Sequence, residues 1–130
     1  MTYGNSITID APFADTVERV REELKVEGFG VLTEIDVTST MRTKLGEEME
    51  DYVILGACNP PLAHAALQTD RSIGLLLPCN VVVRTTDRGT AVEALDPQIM
   101  VGLSDSPELE AVADDAAARL RRVLDRLAVP

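Results

Sequence analysis

Asn80-Val81-Val82-Val83-Arg84-Thr85-Thr86-Asp87-Arg88-Gly89-Thr90-Ala91-Val92-Glu93-Ala94-Leu95 decides the architecture. Two runs rich in apolar and β-branched residues, 80–85 and 90–95, flank a short connection containing Asp87 and Gly89. A link this short joins antiparallel strands, because parallel neighbours need a crossover of a dozen or more residues. The sheet is therefore expected to be largely antiparallel.

Upstream, residues 51–58 (Asp-Tyr-Val-Ile-Leu-Gly-Ala-Cys) read as a strand rich in β-formers. Asn59-Pro60-Pro61 must end it, and proline in a first helical turn leads into a short helix over 62–67. Residues 29–37 carry Val31, Leu32, Ile35 and Val37 among polar residues and read as an earlier strand. Thr38-Ser39 then cap a short helix that runs through Leu45 and stops at Gly46. Ser6-Ile7-Thr8-Ile9 alternates as a half-buried strand. Asp10 serves as N-cap and Pro12 occupies the first turn of a helix whose Phe13, Val17, Val20 and Leu24 share one stripe, with Gly28 ending it.

Downstream, Asp96-Pro97 opens a loop, and Ser106-Pro107 opens the last helix. Its apolar positions from Leu109 to Leu127 keep the 3.6-residue period, with Glu108 and Glu110 near the start and Arg119, Arg121, Arg122 and Arg126 toward the end, as the helix dipole favours. Gly74-Leu75-Leu76-Leu77, cut by Pro78, is either a buried turn or the start of a strand. The order predicts one α+β domain over 1–130: a curved, largely antiparallel sheet with two long helices on one face and short extra helices. Strands as apolar as Val53-Ile54-Leu55 and Val81-Val82-Val83 favour burial of both faces, by loops or by a second copy in a homodimer.

With 130 residues, 45% hydrophobic, the chain can bury a self-sufficient core. No apolar run reaches the ~18 to 20 residues of a membrane span, and the N-terminus has no signal-peptide pattern, so a cytoplasmic location is expected. Twenty-two acidic against 12 basic side chains leave a net charge of −10, which repels nucleic acid and anionic membranes. In a reducing compartment, the two cysteines are expected as free, catalytic or metal-bound thiols.

Each cysteine precedes an asparagine beside a proline, in Ala57-Cys58-Asn59-Pro60-Pro61 and Leu77-Pro78-Cys79-Asn80. Together with Asp96-Pro97-Gln98-Ile99-Met100 and the Gly28-Phe29-Gly30-Val31 turn, these motifs make the chain resemble the domain-of-unknown-function 302 family of bacteria and archaea. The resemblance covers nearly the whole domain. It implies a TATA-binding-protein-like α+β fold, usually paired as a homodimer, and no established activity. DNA binding does not follow, since the chain lacks a basic face.

Cys58, Asn59, Pro60, Cys79, Asn80 and Asp96 are the candidate ligand-binding residues. Cys58 and Asn59 are expected at a helix N-terminus, where unpaired amides and the helix dipole lower a thiol's pKa and favour an anion. If the two strands carrying the motifs are neighbours, two thiols and two carboxamides face one pocket for a small molecule or anion. The structural alternative makes Cys58 a small buried residue and Asn59 a brace for its own turn. A second alternative is a thiol- or metal-dependent enzyme in which His64, the sole histidine, joins Cys58 and Cys79 with Asp96 as fourth ligand. That set has acceptable chemistry for zinc but matches no zinc spacing. A third is a structural or interaction module. No cofactor is indicated.

Overall fold

The computed structural model describes residues 3–130. Five strands alternate with helices in the order β1 (Gly4–Ile9), α1 (Phe13–Val26), β2 (Gly30–Asp36), α2 (Val37–Leu45), β3 (Tyr52–Cys58), α3 (Pro60–Thr69), a 3-10 helix (Arg71–Leu76), β4 (Cys79–Thr86), β5 (Gly89–Leu95), α4 (Gln98–Leu103) and α5 (Leu109–Leu127). The strands form one sheet in the order β1-β5-β4-β3-β2, and each neighbouring pair is antiparallel. The α+β expectation holds, with α1 and α5 as the two long helices.

Strand alternation divides the side chains. Val53, Leu55 and Ala57 of β3, Cys79, Val81 and Val83 of β4, and Val92 and Ala94 of β5 share one face. That face packs on Val17, Val20 and Leu24 of α1 and on Leu120, Val123, Leu124 and Leu127 of α5. Burying each of the larger aliphatic side chains contributes about 1.5–3 kcal/mol before chain entropy is counted. The other face carries Tyr52, Ile54, Val82 and Leu95 with the Arg84–Glu93 ion pair, and Ile35 on the edge strand is half exposed. Ala66, Ile73, Met100 and Leu109 form a second, smaller cluster joining α3, the 3-10 helix, α4 and the start of α5.

Local signals held with some shifts. Pro12, not Asp10, is the residue before α1, and it makes no side-chain cap; the extended backbone of Pro12 ends one conformation and starts the next. Asp36 caps α2 by accepting the Ser39 N–H at 2.9 Å, where Thr38-Ser39 was expected to cap. Thr38 instead ties the far end of the connection, donating to the Glu50 carbonyl at 2.6 Å and accepting the Tyr52 N–H at 2.8 Å. Gly46 stops α2 in the left-handed region at φ 66°, as read from the sequence. Gly74-Leu75-Leu76 belongs to the 3-10 helix and not to a strand, and the Leu77–Pro78 peptide is cis. The loop expected after Asp96-Pro97 holds the short helix α4. Among the described residues, no helix is long and apolar enough to cross a membrane.

Candidate functional site

Cys58 ends β3 and Cys79 begins β4, and the register pairs Ala57 with Cys79. The two cysteines are therefore diagonal neighbours at the same end of adjacent strands. Both are free thiols and both line a cavity of about 260 Å³. The cavity lies on the seam between the two hydrophobic clusters: Phe29, Ala57 and Cys79 come from the first, while Ala66, Leu67, Leu77, Met100 and Val112 come from the second or pack against it.

Its walls are apolar. Cys79 is buried, and burial, with the neighbouring Cys58 thiol as a lesser cause, pushes its pKa up to about 11. It is a neutral thiol at physiological pH. Cys58 is half-buried. Leu32 is the extra residue where the β2–β3 register shifts between Val31 and Thr33, and this bulge turns it toward the cavity although it is 70% exposed. Leu32 thus marks the mouth. Gly56 makes the adjoining packing possible: a Cβ there would collide with the Thr33 hydroxyl and the Pro78 ring.

Asn59 does the bracing. It is 7% exposed; its Oδ1 accepts the Leu62 N–H at 3.4 Å as the α3 cap, and its Nδ2 donates to the Glu27 carbonyl at 3.2 Å. The Glu27 carbonyl also accepts Arg119 Nη1 at 2.9 Å, while the Glu27 carboxylate accepts Arg122 Nε at 3.0 Å and Arg126 Nη1 at 2.8 Å. The hydrogen bond from Arg122 holds the Glu27 carboxyl below its ordinary pKa, against desolvation, with Arg126 adding to the effect. Gly28, at φ 85°, follows in the left-handed region, and a Cβ on it would stand 3.0 Å from Asn59 Nδ2. One carboxamide therefore locks the β3–α3 turn to the α1–β2 turn and, through Glu27, to α5.

The expected anion site at the start of α3 is not formed. Pro60 and Pro61 have no N–H, the Leu62 N–H is taken by Asn59 Oδ1, and the Ala63 N–H goes to the Asn59 carbonyl at 2.9 Å. The helix end is sealed by its own prolines and cap. Pro60 itself is exposed.

The remaining candidates separate. Asn80 is exposed on the opposite face of the sheet, where it lines a different depression with Tyr52, Val82 and Glu93. Two-residue alternation along β4 requires this, since Cys79 and Val81 face inward. Asp96 accepts the Gln98 N–H at 2.9 Å, opening α4, and does not line the cavity. His64 is exposed on α3, whose cavity-lining positions are Leu62, Ala63, Ala66 and Leu67. The Cys58, Cys79, His64 and Asp96 zinc set is not assembled, and among the described residues no three His, Cys, Asp or Glu side chains are placed to hold a metal. Phe29, Leu32, Met100 and Val112 were missed as cavity residues; the bulge signal in Leu32-Thr33 is too weak to read, while Met100 required knowing that α4 exists.

The family model described as "Domain of unknown function DUF302" matches residues 5–127. The crystal structure of an uncharacterised conserved DUF302 protein from Bacillus stearothermophilus is similar, at 33% sequence identity and a TM-score of 0.90, over 98% of this chain and 99% of that one. A comparison with curated proteins finds no match. A match across both cysteine turns, the sheet and both long helices, with a superimposable fold, places this chain in the DUF302 family.

Proposed function

We propose that this protein binds a small, largely apolar molecule in the cavity shared by Cys58 and Cys79. The observation that carries the reading is the cavity itself: about 260 Å³, walled mainly by aliphatic side chains and Phe29, with both cysteines among the residues that line it. An apolar cavity of ~150 Å³ is enough for benzene, and drug-sized sites start near ~300 Å³, so the occupant is small. An anion is disfavoured by the sealed α3 terminus and the neutral Cys79 thiol. Turnover by a cysteine–histidine pair is disfavoured by the outward position of His64.

The reading includes a homodimer in the cytoplasm, built on a TATA-binding-protein-like sheet. The half-exposed sheet face supports a second copy, since Tyr52, Ile54, Val82 and Leu95 give it an apolar stretch beside the polar Ser6, Asn80 and the Arg84–Glu93 pair. The net charge of −10 argues against nucleic acid as the partner on that face.

The test is a thermal-shift and ligand-observed NMR screen of small uncharged aromatic and aliphatic compounds against the reduced protein and Ala63→Phe, which fills the cavity from α3. Binding by the parent chain and loss in Ala63→Phe is the expected result. Equal binding by both, or none by the parent, would overturn the reading.

A further inference from the structure

The wall of the cavity is almost wholly apolar, and its polar side chains are spoken for. Asn59 is the one carboxamide among the lining residues, and both its ends are committed, Nδ2 to the Glu27 carbonyl and Oδ1 to the Leu62 N–H. The two cysteines bring at most weak S–H donors. A guest that carried a hydroxyl, amide or carboxylate inward would lose its hydrogen bonds to water and find no partner in return. The interior therefore accepts hydrocarbon alone.

The mouth decides where the rest of a guest lies. Leu32, 70% exposed, marks the opening on β2, while the buried Met100 of α4 lines the space from the second cluster, so the cavity runs from solvent into the interior. The cation tied into this wall is already paired: Arg119 donates through Nη1 to the same Glu27 carbonyl that Asn59 uses, and through Nε to Asp115 at 2.8 Å. With a net charge of −10 on the chain, an anionic head gains nothing there. Resting on the reading of this cavity as a ligand site, we propose that it takes the alkyl end of an uncharged medium-chain amphiphile, such as a fatty alcohol, ester or glycoside, and leaves the polar head in water beside Leu32.

Volume sets the length of the tail. An apolar cavity of ~150 Å³ holds the six carbons of benzene, so one of about 260 Å³ holds roughly ten. Each methylene buried up to that length strengthens binding about fourfold, and each one beyond it stays in water and adds little. A flexible chain can follow a space that crosses the seam between two clusters, and its end position lets the head reach the rim.

The experiment is calorimetric titration of the reduced full-length chain, below micelle formation, with hexyl, octyl, decyl and dodecyl maltoside, with decanoate, and with naphthalene as a ring of equal carbon count. Expected are one site per chain, affinity that climbs about fourfold per methylene and levels between decyl and dodecyl, and decanoate about tenfold weaker than decyl maltoside. Ala63→Phe should abolish binding of the whole series. Leu32→Lys, which sets a cation at the mouth, should raise decanoate about tenfold relative to decyl maltoside. Affinity independent of chain length, a rise from decyl to dodecyl as steep as the steps before it, or a decanoate ratio unmoved by Leu32→Lys would overturn the proposal. If Ala63→Phe does not fold by circular dichroism, Leu32→Lys decides, because position 32 is exposed. Naphthalene bound by the parent chain and lost in Ala63→Phe, with no maltoside bound, would sink the amphiphile and leave the apolar-cavity reading. Binding of neither class would sink both.

Discussion

Asn59 and Asn80 stand in the same place, each just after a cysteine, and do unlike work. Asn59 follows the last residue of β3 and keeps the inward sense of Leu55 and Ala57, so its side chain lies on the buried side, spanning from the α3 cap to the Glu27 carbonyl. Asn80 is the second residue of a strand, and the pleat sends it to the opposite, exposed face. Both cysteines line one cavity while the asparagines part. A repeated dipeptide thus carries repeated chemistry only where the backbone around it also repeats.

The widest gap should appear between the two thiols. With a pKa near 11, roughly one Cys79 in a thousand is thiolate at pH 8, and it is buried as well. Cys58 should alkylate at least 100-fold faster than Cys79, read by mass spectrometry of timed iodoacetamide reactions; equal rates would mean that the buried position of Cys79 is wrong. Next comes Asn59→Ala, which removes a cap and leaves the Leu62 N–H without its partner. A loss of about 2–3 kcal/mol in urea denaturation is expected, against under ~0.5 kcal/mol for Asn80→Ala. Similar losses for both would erase the contrast. Gly28→Ala should cost about 1–2 kcal/mol, because it strains a positive φ and presses on the same carboxamide.

The smallest effect concerns pH. The Glu27 carboxyl is depressed in the fold, so its stabilising contribution is present above the ordinary carboxylate pKa of about 4.3 and is lost as pH falls through the lower folded value. Glu27→Gln should therefore melt below the parent at pH 7, with the gap narrowing as pH falls below about 4. A gap constant with pH would show that the arginine contacts of Glu27 contribute nothing through charge.

What could be read without coordinates was what local chemistry dictates. The hairpin over β4 and β5, the α1 stripe Phe13-Val17-Val20-Leu24 and the period of α5 each announce themselves within a few residues. Helix α4 did not, because its six residues follow Asp96-Pro97 and contain Gly102, so loop signals outweigh one turn and a half of period. That Cys58 and Cys79 line one cavity depends on β3 and β4 being neighbours, a pairing across some twenty residues that no local pattern encodes. Asn80 was within reach: the alternation Cys79, Val81, Val83 inward already assigns it outward. His64 failed for a similar reason, since Leu62, Ala63, Ala66 and Leu67 claim the inner side of α3 and leave position 64 outside.

The two prolines that open α3 have one more effect. By removing two amide donors beside the cavity while Asn59 takes the next, they silence the helix end electrically, and α3 carries no charged side chain in its first or last turn. A neutral guest entering there displaces no counterions. Its affinity should be indifferent to ionic strength and should instead show itself in calorimetry as a negative heat-capacity change that grows with the carbon surface it hides.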